Sequence, residues 1–229
     1  MNRLLIIPAR GGSRRIKNKN IKKFFDKPII SYPLAAAKKS RLFKKIHVST
    51  DSKKIKSVVK KLGYDPEFMR SRMLGRDEIG IIDVLNFVIK KFIKLKVVFD
   101  EVWCLYPCSP LISSKDLRKI SSFFSKQNNS LMTVSEFQVP IYWALKKDGK
   151  KNLKPIFNNK LHLSSKIFSK SYYDNGCLIV LKKKDFFKNF YQIKFSGYEM
   201  PLYKSVDIDN MNDWRLALKF YKLNKTTKG

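Results

Sequence analysis

RLLIIP (Arg3–Pro8), running directly into ARGGSRRIKNKN (Ala9–Asn20), decides the fold. An unbroken apolar run closed by a glycine-bearing turn reads as a short strand buried on both faces, as in parallel sheets. In the turn, Gly11 and Gly12 lack the side chains that keep backbone N–H groups away from a ligand, while Arg10, Arg14, Arg15, Lys17 and Lys19 bring five positive charges. A strand feeding such a loop is suited to holding phosphate. The loop follows neither the GxxxxGK[ST] nor the GxGxxG pattern, so it is not one of the common nucleotide turns.

Outward from this stretch, helical and strand patterns alternate. Helices are expected over Ile29–Lys39, despite Pro33, then after Asp51, over Asp83–Phe92, over Lys115–Phe124 and over Met211–Tyr221. In the second of these, Ile55, Val58, Val59 and Leu62 recur at helical spacing and Gly63 stands where a helix stops. Strands are expected over Lys45–Thr50, Asp100–Tyr106, Ser130–Glu136 and Gly176–Leu181, with a short extended piece over Tyr203–Ile208. Val139–Leu163, with its Lys-Asp-Gly-Lys turn chemistry, reads as a hairpin or an excursion from the sheet. The rhythm predicts an α/β fold, Rossmann-like, with a mainly parallel, doubly wound sheet and a single domain over 1–229. Chemistry then belongs at the C-terminal ends of the strands.

Composition narrows the function classes. The chain is 44% hydrophobic and 13% aromatic, which is globular rather than disordered. No apolar run reaches the roughly 20 residues that span a bilayer, so no membrane partner is expected. Cys104, Cys108 and Cys177 form neither a disulfide framework nor a CxxC metal spacing, which points to the reducing cytoplasm. A net charge of +31 raises the alternative of a basic nucleic-acid-binding protein. The excess is mostly lysine spread along the chain, whereas nucleic-acid binders concentrate charge on one face or tail. No nucleic-acid partner is expected, and the same field would draw in an anionic substrate.

Near the C-terminus, VDID (Val206–Asp209) sets two carboxylates two positions apart. In an extended segment they share a side while Val206 and Ile208 pack inward. Paired carboxylates together with substrate phosphates are a usual way of holding Mg²⁺.

With these pieces in view, the chain resembles the acylneuraminate (nonulosonic acid) cytidylyltransferase family. IIPARGGSRRIKNKNIKKF (6–24), DKPIISYPLAAA (26–37), LFKKIHVSTDSKKI (42–55), FMRSRMLGRD (68–77), LYPCSP (105–110), SYYDNG (171–176) and VDIDNMNDW (206–214) follow the family's order and spacing over roughly residues 3 to 222. Tyr106 and the stretch SEFQVPIYWAL (135–145) resemble the pseudaminic acid branch. Ser164–Phe168 departs from that branch's Arg-Ser-Gln-Asp-Leu, and Asn175-Gly176 is similar to the sialic acid branch.

The resemblance implies a GT-A-type nucleotidyltransferase that moves CMP from CTP to the anomeric hydroxyl of a nonulosonic acid, pseudaminic acid first. N-acylneuraminic, legionaminic or another sugar acid such as KDO is the alternative. It implies Arg10, Gly11, Gly12, Ser13, Arg14, Lys19 and Asn20 at the nucleotide and Arg70 beside the base. Tyr106, Ser109, Tyr172 and Asn175 would meet the sugar. Asp207 and Asp209 would hold Mg²⁺ (or Mn²⁺) and form the catalytic set with Arg10. A homodimer formed through 139–163 is implied as well. His47 and Trp214 read as structural, while Asp51 reads equally as a site contact or as the N-cap of the following helix.

Overall fold

The computed structural model describes residues 1–149 and 151–226; Lys150, in the expected turn of the excursion, and the last three positions of the expected domain lie outside the described residues. β1 (Arg3–Pro8) lies inside the sheet, parallel to β4 (Lys45–Ser49) on one side and to β5 (Glu101–Leu105) on the other. Its four apolar residues are all buried, and they divide between two faces as strand alternation requires. Leu5 and Ile7 join α1 (Ser31–Ser40), α2 (Lys53–Lys61) and α4 (Ser114–Ser125) in one core. Leu4 and Ile6 join Leu85, Val88, Ile89 and Phe92 of α3 (Ile81–Lys94) in the other.

With β6 (Ser130–Glu136), β9 (Tyr172–Lys182) and β10 (Phe195–Glu199) the sheet has six strands in the order β10-β6-β9-β5-β1-β4. β6 and β10 run parallel to each other, and β9 is antiparallel to both β5 and β6. The sheet is thus mainly parallel, with one reversed strand. Two small ribbons lie outside it: β2 (Lys23–Phe24) with β3 (Lys27–Pro28), and β7 (Leu145–Lys147) with β8 (Leu153–Pro155). The second falls within the 139–163 stretch. α5 (Met211–Thr226) closes the chain, its Trp214 and Ala217 packed with Ile16, Phe24, Ile29 and Ile208.

Most boundaries agree with the sequence reading, and the differences have physical reasons. Pro33 is tolerated because it is the third residue of α1, where the missing N–H has no partner within the helix. Ser52, not Asp51, caps α2, accepting the Ile55 N–H at 3.4 Å. The extended piece at Tyr203–Ile208 is not a strand: Leu202–Lys204 forms a 3₁₀ turn and the following residues make no ladder. Ile208 is nevertheless fully buried and Val206 partly so, which preserves the inward packing between the two aspartates.

The β6–β9 register slips partway along. Met132 faces Ile179, but Val134 faces Asp174, so Thr133 alone stands opposite the run from Asn175 to Leu178. The Thr133 hydroxyl fills the gap, accepting the Leu178 N–H at 2.9 Å and bonding to Asn175 Oδ1 at 2.8 Å. Gly176, at φ +61, sits within this bulge. Bulges of this kind re-aim the strand beside a site.

Candidate active site

At the C-terminal ends of β1 and β5 lies a cleft of about 330 Å³. Its walls are the loop after β1 (Arg10, Ser13, Arg14, Lys19, Asn20), the turn after β5 (Tyr106, Pro107, Cys108), the β9 bulge at Gly176, the Asp207/Asp209 segment, and residues between Arg70 and Val84.

Side-chain bonds to backbone fix the shape of the cationic loop. Asn20, buried, donates to the Arg10 carbonyl at 2.9 Å and accepts from the Cys108 thiol at 3.4 Å. Burial pushes that thiol up to about 12, so Cys108 is a packing group rather than a nucleophile. Lys19 donates to the Ile208 carbonyl at 2.6 Å and to Asp209 Oδ1 at 3.3 Å, and Arg15 lies 3.0 Å from Asp209 Oδ2. The loop and the acidic segment are therefore cross-linked, although 189 positions separate Lys19 from Ile208.

Asp207 and Asp209 are close enough to feel each other. Burial first, and the Asp209 charge second, raise the Asp207 carboxyl above the usual carboxylate range, with Lys19 opposing. Gly176 packs against Asp207: a Cβ there would stand 3.4 Å from its carboxyl. Two carboxylates on one wall form an oxygen donor set that suits a hard divalent ion. Among the described residues no group of three His, Cys, Asp or Glu side chains could hold a metal, so further ligands would come from substrate oxygens and water.

On the opposite wall, a strap formed by the 3₁₀ turn Arg72–Gly75 and the residues up to Gly80 crosses the loop. Asp77 of the strap pairs with both Arg10 and Arg14. Arg70 is buried beneath it, with Nε lacking a hydrogen-bond partner. Burial lowers its guanidinium pKa, and the charge of Asp51 opposes that shift. Leu74, Ile79, Ile81 and Val84 supply the apolar part of the wall.

Of the expected site residues, Arg10, Ser13, Arg14, Lys19, Asn20, Arg70, Tyr106, Asp207 and Asp209 line this one cleft. Gly12 instead lines an adjoining cavity of about 420 Å³ on the outer side of the strap, and Gly11 turns its N–H to Asp51 at 2.8 Å. Three residues expected at the sugar are not brought to the cleft. Ser109 is buried beside Cys177. Asn175 is buried and committed to Thr133, Ser135 and the Cys177 N–H within the bulge. Tyr172 is exposed at the start of β9, opposite Glu136. Sequence reasoning missed Asp77 and Arg76, and it counted Arg15 among the loop's cations without foreseeing its pairing with Asp209; an acidic pair between glycines in so basic a chain (GRDEIG, Gly75–Gly80) was the available signal for Asp77.

Known proteins resemble this chain in sequence and in fold. The family model described as cytidylyltransferase matches residues 4–222. The chain is 32% identical over 228 residues to the pseudaminic acid cytidylyltransferase of Campylobacter jejuni, covering 98% of both chains. It is 31% identical over 231 residues to the CMP-N,N'-diacetyllegionaminic acid synthase of Legionella pneumophila, again covering 98% of both. In fold it is similar to CMP:2-keto-3-deoxy-manno-octonic acid synthetase complexed with CTP, with a TM-score of 0.68 and 14% identity over 98% of this chain and 100% of that one.

Proposed function

The chain belongs to the cytidylyltransferase family, and from that membership we propose that it transfers CMP from CTP to the anomeric hydroxyl of a nonulosonic acid, releasing pyrophosphate. One observation carries the reading: Arg10 and the Asp207/Asp209 pair, far apart in sequence, line one cleft. Pseudaminic acid is the first choice of acceptor, supported by the relative from Campylobacter jejuni. The legionaminic relative supports the nearest alternative, with N-acylneuraminic acid and KDO behind it.

The reaction is an in-line displacement at the α-phosphorus, so the protein's task is to position two anions and neutralise growing charge. Arg10 and Arg14 would meet the triphosphate, and Asn20 and Arg70 would orient the nucleoside. Lys19 and Arg15 act at one remove, holding Asp209 and the Ile208 carbonyl in place. Mg²⁺ or Mn²⁺ held by Asp207 and Asp209 would supply charge neutralisation at the phosphates. Tyr106, whose phenol burial pushes up, lines the cleft and would donate a hydrogen bond to the sugar acid.

A homodimer through the excursion is part of the proposal, supported by the exposed apolar side chains Val139, Leu153, Ile156 and Leu161. The three free thiols support a reducing, cytoplasmic setting. Among the described residues no helix is long and apolar enough to cross a membrane.

The deciding experiment offers the purified protein CTP, Mg²⁺ and a panel of sugar acids, with UTP, ATP and GTP in parallel, and identifies products by mass. A CMP-linked nonulosonic acid formed only with CTP is expected. Failure of every acceptor would remove the reading. Sedimentation of a monomer at working concentrations would remove the dimer.

A further inference from the structure

Asp51 lies just outside the cleft, and neither the fold nor the proposed chemistry accounts for it. It is not the cap of α2, because Ser52 takes that role. We propose that Asp51 is a positioning residue: its carboxylate sets the phosphate loop, the strap and Arg70 relative to one another, and so governs the nucleotide end of the site. The inference rests on the cytidylyl-transfer reading above.

Three contacts converge on this side chain. Oδ1 accepts the Gly11 N–H at 2.8 Å, pinning the phosphate loop to the end of β4. The strap presses on the same carboxylate from the other side: a Cβ at Gly75 would come within 2.6 Å of Oδ2 and 3.2 Å of Cγ. Gly11 is similarly close, since a Cβ there would stand 2.9 Å from Ser52 Cβ and 3.8 Å from Asp51 Oδ1. Both glycines therefore let the backbone approach where any side chain would push the loop or the strap away. The third contact is electrostatic: Asp51 favours the charged form of the buried Arg70, against burial and against Arg10. The backbone reinforces the arrangement, with the Arg70 N–H donating to the Thr50 carbonyl at 3.0 Å and the Ala9 N–H to the Ser49 carbonyl at 2.8 Å.

The coupling reaches Arg10 as well. Arg10 Nη1 donates to the Gly75 carbonyl at 3.5 Å, so the height of the strap above Asp51 helps set where that guanidinium points. Asp51 does not line the cleft, and it acts only through Gly11, Gly75, Arg10 and Arg70. All four belong to the side that the reading gives to CTP. The acidic segment and the β9 bulge make no contact with it in this network, so its effect is confined to one substrate.

The test uses the full chain with three substitutions, Asp51→Asn, Asp51→Ala and Gly75→Ala. CTP binding is measured by calorimetry, steady-state constants are measured for both substrates, and thermal unfolding checks the fold. Asp51→Ala is expected to weaken CTP binding and raise its KM about tenfold or more, with the KM for the sugar acid changed less than about twofold. Asp51→Asn keeps an acceptor for Gly11 but loses the charge facing Arg70, so an intermediate loss of about threefold is expected. Gly75→Ala leaves Asp51 intact and drives a methyl into it, and it should reproduce the CTP-selective defect. Equal losses for both substrates, or a folded Asp51→Ala protein binding CTP like wild type, would overturn the proposal. Should Asp51→Ala not fold, the Asn and Gly75 variants decide alone. Wild-type protein that does not bind CTP would instead refute the functional reading on which the proposal rests.

Discussion

Asp77 is ion-paired with Arg10, and so sits on the guanidinium that the phosphate loop turns toward the cleft. The same carboxylate also pairs with Arg14. An incoming triphosphate would have to take those cations from it. Both members of the Arg10–Asp77 pair are 39% exposed, which places the contact among solvent-screened ion pairs. Asp77→Asn is therefore expected to tighten pyrophosphate binding about two- to fivefold, the equivalent of ~0.5–1 kcal/mol. Titration calorimetry at fixed ionic strength measures this. Weaker binding in the variant would mean that Asp77 orients Arg10 rather than competing for it.

Asp207 is held protonation-prone by burial and by Asp209, so Asp207→Asn removes a repulsion and should leave the melting temperature equal or higher. Turnover should fall at least ~100-fold, because several kcal/mol of charge neutralisation would go, at about 1.4 kcal/mol per factor of ten. The pH dependence follows from the same shift. A metal-holding carboxylate must be ionised, and the Asp207 carboxyl is raised, so protons compete with the metal and more Mg²⁺ should be needed for half-maximal activity as pH falls toward the carboxylate range. Full turnover by Asp207→Asn with Mg²⁺ present would show that the pair does not hold the metal.

Much of this site could be read from the chain because the signals were local. The apolar run from Leu4 to Ile7 and the cations after it lie side by side in sequence, and they stay together in the fold. Asp207 and Asp209 keep their shared side without a ladder because Ile208 between them is fully buried. What escaped depended on non-local pairing. β10 is an edge strand of mixed polarity (FSGYE), half-exposed, and carries no continuous apolar run. The strap meets Arg10 across 67 positions, which no spacing rule reaches. Asn175 illustrates the limit best: which way it faces depends on a register slip opposite Thr133, and strand alternation holds only for a regular ladder.

Gly176 and Gly63 make a matched pair for testing that bulge. Both have positive φ, +61 and +86, so alanine at either should destabilise by roughly 1–2 kcal/mol, or about 2–8 °C for a chain of this size. Their surroundings differ. A Cβ at Gly63 meets nothing within 4 Å, whereas one at Gly176 meets the Asp207 carboxyl at 3.4 Å. Gly63→Ala is expected to lose stability alone, and Gly176→Ala to lose turnover as well. Equal kcat in the two variants at a temperature where both are folded would show that the bulge does not place Asp207.

Glu67 accepts from His47 Nδ1 at 2.8 Å and pairs with Lys45 at 2.6 Å, while His47 is buried against Phe68 and Phe92. Burial alone would raise the Glu67 carboxyl; the bonds from His47 and Lys45 outweigh it and bring the value from 4.5 down to about 2. A depressed folded-state value contributes stability that is fully present above the unfolded value and is lost as pH falls toward the folded one. The window here is from about pH 4.5 down to about pH 2. With the side chain 31% exposed, the gap amounts to ~1–2 kcal/mol after screening rather than the full linkage value. Denaturant unfolding of wild type and Glu67→Gln at pH 7 should differ by that amount, and the difference should narrow steadily as pH drops below 4.5. A difference that stayed constant from pH 7 to pH 3 would trace the effect to packing around His47 instead of to the carboxylate charge.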